Sequence, residues 1–347
     1  MKGLRWLLLA LPTSWALALF HGPPLAVFLV SGIAVIPLAA TMGEATEALA
    51  RRTGPAVGGL LNATFGNAAE LILAIVALRA GLLDLVKASL TGSILGNLLL
   101  ILGLSLVAGG TRRPVLTFNR TAAGMSAAML LLAVVGLVMP ALFAATHPAA
   151  NEATTIHLSE GVAVVLGATY VAGLVFSLVT HRELFGVGGH GSDGGTGRAG
   201  RAVAVLAGAT VLVALQSEIL VHATEQVVVH LGWSEIFLGL MIIPLIGNAA
   251  EHATAVVAAR KGDTDLALTI ALGSSTQIAL FVAPLLVLVG VLLGQPMQLV
   301  FTSFEIVALG LAALIVNVIA LDGESHWFEG AQLLAVYAIL AIAAWFI

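Results

Sequence analysis

Hydrophobic residues run in long stretches along this chain of 347 residues, separated by short segments rich in proline, glycine or charge. The stretches are continuous and lack the alternation of apolar and polar positions that β-barrel strands show. A helix needs about 20 apolar residues to cross a bilayer. The pattern therefore predicts an all-α polytopic membrane protein with 11 transmembrane helices, at about 5–20, 24–50, 55–79, 83–109, 118–140, 157–181, 201–230, 234–260, 264–293, 299–321 and 328–346.

The two ends of the first half differ from the rest of the pattern. Lys2 and Arg5 precede the first apolar run as in a signal peptide, but no small-residue cleavage site follows it. We therefore expect residues 1–22 to form an uncleaved extra helix ahead of a first half at 23–182. The Gly-rich tract 183–200 predicts a flexible cytosolic linker, with the second half at 201–347.

The positions of the basic residues predict how the helices are oriented, because cytoplasmic loops collect Lys and Arg. With a cytosolic N-terminus and eleven crossings, only Arg79 and Lys87 of the 14 basic residues fall outside. The C-terminus is then external. Helices two to six and seven to eleven become two five-helix repeats of opposite orientation, which is the plan of secondary transporters with a midplane site.

One pentapeptide occurs in both halves. Gly-Asn-Ala-Ala-Glu spans Gly66 to Glu70 and again Gly247 to Glu251, a separation of 181 residues. A charged side chain at the bilayer centre costs about 2.5–3.5 kcal/mol on insertion scales. A carboxylate at matching depth in two opposed helices therefore predicts one site built from both halves.

Composition narrows the chemistry of this site. The chain is 60% hydrophobic and 9% charged, with a net charge of −4 and no cysteine. The charge argues against nucleic acid as a partner, and the lack of cysteine excludes thiolate ligands. We expect no cofactor, contact with the lipid bilayer, and ions as the other partners, whereas a homo-oligomer is left open.

The residues near the two carboxylates supply oxygen atoms. Glu70 and Glu251 are predicted ligands, and Gly66 and Gly247 loosen their helices so that backbone carbonyls face a cavity. Asn67 and Asn248 lie three residues before each Glu, where they either bind the ion or hydrogen-bond a neighbouring helix. Such all-oxygen sets suit Ca²⁺.

Further polar residues lie in the predicted helices at 83–109 and 264–293. Asn97 and Gln277 are candidates to bind the ion directly or through water, or to orient the two Glu residues. Ser274 adds a hydroxyl group, although serine in membrane helices commonly bonds its own backbone. We include all three in the predicted Ca²⁺/H⁺ exchange site.

Three further residues are candidates for the proton path or for gating. Glu47 and Glu225 lie in matching Ala-Thr-Glu triplets near opposite membrane surfaces, where the alternative is a carboxylate reaching into solvent. His252 directly follows Glu251 and is expected to tune that site.

The paired segments resemble a known family. Gly66 to Leu71 and Gly247 to Ala253 resemble the two α-repeats of the calcium/cation exchanger superfamily, and Gly273 to Ile278 resembles its calcium/proton antiporter branch. The resemblance implies a sodium/calcium exchanger-like fold with Glu70 and Glu251 as essential ligands. Members often carry an acidic stretch between the halves, which residues 183–200 lack.

Charge also favours exchange. Two carboxylates at the midplane can cross an occluded state when neutralised by one divalent cation or by two protons, but not when empty and ionised. We therefore expect a transporter that exchanges Ca²⁺ for H⁺ by alternating access and exports cytosolic Ca²⁺ across the plasma membrane. A Na⁺/Ca²⁺ or other cation/proton exchanger is the alternative, a cation channel is less favoured, and no enzymatic motif is found.

Overall fold

The computed structural model describes residues 2–149, 151–181 and 196–347. Almost all of these residues are helical, in elements that we number α1 to α11 with letters for the parts of broken helices. The elements are α1 (Trp6–Leu19), α2 (Pro24–Ala50), α3a (Gly54–Phe65), α3b (Ala68–Arg79), α4 (Leu83–Gly110), α5 (Arg120–Thr146), α6 (Glu152–Thr180), α7 (Thr196–Leu231), α8a (Glu235–Gly247), α8b (Ala249–Lys261), α9 (Thr264–Leu292), α10 (Ser303–Ala320) and α11 (Trp327–Trp345).

Most of these helices are long enough to cross a membrane. In the described part of the chain, nine spans are long and apolar enough, and the bent pair α8a–α8b makes a tenth if it is counted as one. Helix α1 is apolar but shorter than a full span, and its first four residues belong to a 3₁₀ segment at Lys2–Leu9. The apolar stretches thus located the helices, but α1 is shorter than the predicted span at 5–20.

Several helix ends differ from the predicted ones, because local capping groups decide them. Helix α6 begins at Glu152, where the side chain of Asn151 accepts a hydrogen bond from the Thr154 backbone N–H. Helix α10 begins at Ser303, behind a capping box formed by Thr302 and Glu305. Helix α5 continues through Pro140 to Thr146. Hydropathy alone does not register these features.

The predicted linker lies largely outside the described residues. Helix α7 already begins at Thr196, so the last five residues of the stretch 183–200 are helical. Residues 183–195 are not described.

The helices pack around α4, which is the most buried of the long spans. It contacts α8a, α8b and α11, while α2 packs along α7, and α5 packs on α10. A pair of two-residue strands, β1 (Leu116–Thr117) and β2 (Glu324–Ser325), joins two connecting loops in antiparallel register. In the residues that the structure describes, four π-helical turns interrupt the spans, at Gly96–Ile101, Phe176–Thr180, Leu238–Ile242 and Ile278–Val282. Such turns are frequent at functional sites.

Candidate ion-binding site

Both copies of the pentapeptide interrupt a helix. The break between α3a and α3b falls at Gly66 and Asn67, and the chain bends by 63° at Asn248 between α8a and α8b. Glu70 and Glu251 then lie in the first turn of α3b and α8b. The positive end of each short helix therefore faces its own carboxylate, which stabilises negative charge there.

The two carboxyl groups reach one cavity of about 810 Å³. Glu70 and Glu251 both line it and lie close enough to interact electrostatically. One carboxylate oxygen of Glu251 is buried and has no hydrogen-bond partner within the described structure. Two like charges that line one cavity repel each other, so the site favours binding of either a cation or protons.

Gly247 makes the close approach possible. A Cβ atom at this position would lie 3.3 Å from Cγ and 3.5 Å from Oε1 of Glu70. The glycine of one half thus leaves room for the Glu70 side chain of the other half. Gly66 is used differently, because a Cβ there would face the backbone oxygen of Asn62 and the side chain of Gln277.

The two pentapeptide asparagines are buried and pair with serines of the opposite half. The Ser274 hydroxyl donates to Oδ1 of Asn67 at 2.9 Å, and Nδ2 of Asn248 donates to the Ser93 hydroxyl at 3.2 Å. The free ends of the two amides differ. In Asn67 the amide nitrogen Nδ2 is buried without a partner in the described chain, whereas in Asn248 the amide oxygen Oδ1 is.

Two further predicted residues, Asn97 and His252, are connected to Asn67 through hydrogen bonds that include Ser274. Nδ2 of Asn97 donates to the Ser274 hydroxyl at 3.1 Å, and Nε2 of His252 lies 3.2 Å from Oδ1 of Asn97. Asn97 and His252 are both buried, and neither they nor the two pentapeptide asparagines, Asn67 and Asn248, line the cavity. They lie behind the site.

Gln277 lines the cavity and holds the end of α3a. Its Nε2 donates to the carbonyl oxygen of Ala63, which also accepts a hydrogen bond from the Tyr170 hydroxyl at 3.0 Å. Tyr170 lines the same cavity. The sequence analysis missed Tyr170, although a tyrosine within an apolar helix is a recognisable signal.

The outer acidic residues lie in different places. Glu47 lines the cavity and forms an ion pair with Arg51 at 2.6 Å. Glu225 does not line it and lies 3.3 Å from Nδ1 of His222. The cavity wall also includes Asp265, which accepts a hydrogen bond from the Asn119 backbone N–H at 2.6 Å and was not singled out from the sequence.

The donor set restricts what the cavity can bind. Across the described residues, no group of three or more His, Cys, Asp or Glu side chains is placed to hold a metal ion. A cation between Glu70 and Glu251 therefore depends on two carboxylates and on amide, hydroxyl or backbone oxygens. Such ligands suit a hard cation that the protein releases again.

Comparison with known proteins identifies the family to which this architecture belongs. The family model described as sodium/calcium exchanger protein matches residues 23–179 and 201–346. The chain belongs to this family. The match covers both halves and leaves out the whole stretch between them. It shows a multi-pass membrane protein related to transporters rather than to enzymes.

Full-length relatives share close to half of their residues with this member of the family. A Ca²⁺/H⁺ antiporter of Synechocystis is 45% identical and is covered over 98% of this chain and 96% of its own length. The Ca²⁺/H⁺ antiporter ChaA of Bacillus subtilis is 44% identical, with 95% of both chains covered.

Solved structures agree with the observed fold. The structure of native YfkE matches with a TM-score of 0.87 at 41% identity, over 99% of both chains. The H⁺/Ca²⁺ exchanger CAX matches with a TM-score of 0.72 at 17% identity, a likeness that concerns the fold alone. The expected sodium/calcium exchanger-like fold is confirmed at this level.

Proposed function

We propose that this protein is a secondary active transporter that exchanges Ca²⁺ for H⁺. The observation that supports this most strongly is the convergence of Glu70 and Glu251, from two broken helices, on one cavity. The relatives named Ca²⁺/H⁺ antiporters point to the same pair of ions.

The exchange follows from the charge of the site. Five acidic residues and no basic side chain line the cavity in the described structure, and Glu70 and Glu251 are the two that lie at the helix breaks. The protein therefore closes around the site only when one divalent cation or two protons neutralise it, because the ionised pair is too costly to occlude. The ligand set is completed or oriented by polar side chains near the two carboxylates, namely Asn67, Asn248, Asn97, Gln277 and Ser274.

We infer an arrangement of eleven crossings in which α2–α6 and α7–α11 are inverted repeats. Contacts between loops support it, because each joins segments predicted on the same side. Arg113 donates to the Lys261 carbonyl oxygen at 3.2 Å on the cytosolic side, and Gln298 donates to Glu152 at 3.4 Å on the external side. The N-terminus is then cytosolic and the C-terminus external, and the plasma membrane is the proposed location.

This orientation indicates the side of the membrane to which the cavity opens. Its wall reaches from the carboxylates to Glu44 and Glu47 at the end of α2, Ser177 in α6 and Asp265 at the start of α9. All four lie in the cytosolic half of the proposed topology. We therefore infer an inward-open state that receives cytosolic Ca²⁺, and an inward proton gradient then drives its export.

The test is transport by purified protein in liposomes. An acidic interior should drive ⁴⁵Ca²⁺ uptake by the unmodified protein, and Glu70→Gln or Glu251→Gln should reduce uptake to the level of protein-free liposomes. Glu160→Gln is the matched control, because Glu160 lies in α6 and pairs with His157 away from the cavity.

Replacing the pH gradient with a Na⁺ gradient tests the alternative function. Uptake driven by Na⁺ but not by H⁺ would replace the proposal with Na⁺/Ca²⁺ exchange. Full uptake by either Glu variant would remove the assignment of the site.

A further inference from the structure

The carbonyl oxygen of Ala63 lies at the end of α3a, where the helix breaks. In a continuous helix it would accept a hydrogen bond from the backbone N–H of Asn67, four residues later. Helix α3a ends at Phe65, and that bond is absent from the described structure. A carbonyl group at a helix end needs another donor. Two side chains supply it, Tyr170 from α6 and Gln277 from α9.

Tyr170 is the more rigid of the two donors. It is 9% exposed, and its hydroxyl donates to the Ala63 oxygen at 3.0 Å. Its ring stacks on Phe281 of α9, with 5.4 Å between the ring centroids. A tyrosine side chain has only two torsion angles, and here the ring is packed while the hydroxyl is bonded. Tyr170 therefore fixes the end of α3a relative to α6 and α9.

The Ala63 carbonyl group in turn orients the amide of Gln277. Only the amide nitrogen can donate, so Nε2 faces Ala63 and Oε1 faces away from it. Oε1 has no hydrogen-bond partner in the described structure, yet it is not among the fully buried unpaired atoms there. It is therefore open to the cavity that Gln277 lines together with Gly66 and Glu70. A Cβ atom at Gly66 would come within 3.4 Å of this oxygen.

We propose that Tyr170 is a positioning residue for ion binding, which holds the Ala63 carbonyl group so that Gln277 keeps its amide oxygen toward the cavity. Amide oxygens bind hard cations, and a ligand oriented in advance costs less to order when the ion arrives. This inference rests on the proposed exchange function and deepens it, because it adds an oriented neutral ligand to the two carboxylates.

The test uses Tyr170→Phe, which removes the hydroxyl and keeps the ring. We expect the Kd of the purified protein for Ca²⁺ to rise about threefold to tenfold, the effect of one net hydrogen bond. The KM for Ca²⁺ in liposomes should rise in parallel. The value of kcat should change by less than about twofold, because the lost interaction serves binding.

The chain offers a matched control, because Tyr170 and Tyr337 are its two tyrosines. Tyr337 lies in α11 and does not line the cavity. Tyr337→Phe should therefore leave Kd, KM and kcat unchanged. An equal rise in Kd in both variants would overturn the inference.

A double-mutant cycle tests whether Tyr170 acts through Gln277. Gln277→Leu removes the amide and should raise the Kd more than Tyr170→Phe does. The double variant should then have the Kd of Gln277→Leu alone, because no amide remains to be oriented. Additive shifts would show that the two residues act independently and would overturn the inference.

Phe281→Leu tests the same contact while the hydroxyl remains. It removes the ring on which Tyr170 stacks, so the Kd for Ca²⁺ should rise, by less than in Tyr170→Phe. This variant decides the question if Tyr170→Phe does not fold.

A purely structural role for Tyr170 would give a different result. The Tm of Tyr170→Phe would fall while the Kd of the folded protein stayed unchanged, and this outcome would overturn the inference. The Kd measurement needs no proton coupling. A protein that binds Ca²⁺ with the expected shifts but does not exchange it for H⁺ would contradict the proposed function instead.

Discussion

Gly247 is a residue at which the two halves of the candidate site are in close contact. A Cβ atom at this position would lie 3.3 Å from Cγ of Glu70, which is tighter than a usual contact. A side chain here would therefore press on the side chain of Glu70.

Gly247→Ala should displace Glu70 and impair transport. The added methyl group would lie 3.3 Å from Cγ of Glu70, so one of the two must move. Crowding costs about 1–3 kcal/mol, and the low end applies here because the neighbour is a flexible side chain, so Ca²⁺ uptake should fall about fivefold. Gly124→Ala is the control, because a Cβ at Gly124 meets no atom within 4 Å. Equal uptake by both variants in liposomes would show that the space at Gly247 is not needed.

The sequence predicted several residues that line the cavity, including Glu70, Glu251 and Gln277, but it did not predict how the polar side chains interact. The repeated pentapeptide was enough to bring Glu70 and Glu251 together. The contact of His252 with Asn97 depends on the rotation of α8b against α4, which no local pattern specifies. Glu225 was grouped with Glu47 on the basis of matching triplets, yet only Glu47 lines the cavity.

At the scale of the helices, hydrophobicity predicted where each helix lies, whereas glycine and asparagine residues marked where the helices break. The apolar runs located α2 to α11 to within a few residues. The 63° bend at Asn248 and the four π-helical turns depend on packing between helices, so the sequence indicated weak points without giving angles. Glycine and asparagine in the pentapeptides were the correct signal for the two breaks.

The direction of each helix can be tested with single cysteines, because the natural chain has none. Ala80→Cys, between α3b and α4, should react with an impermeant thiol reagent added outside intact cells. Thr111→Cys, between α4 and β1, should react only after the membrane is made permeable. Both positions are exposed in the structure. Labelling of both from the same side would contradict the proposed crossings.

At the scale of the whole molecule, residues of both halves enclose one cavity. The family model matches each half separately, and Glu70 and Glu251, one from each half, both line the cavity wall. The charge sorting of Lys and Arg was informative here because it reports on the entire chain. The cavity itself could not be predicted, since its shape depends on which side of the protein is open.

The central claim is that one dicarboxylate site is always neutralised, by one Ca²⁺ or by two protons. Its most direct test is the Ca²⁺ ratio at which net flux stops in liposomes with a fixed pH difference and a K⁺-clamped membrane potential. Two protons moving down a gradient of about one pH unit release about 2.8 kcal/mol, which balances a Ca²⁺ ratio of about one hundred. The account predicts this ratio at every clamped potential. A ratio near ten, or one that shifts with the potential, would contradict it.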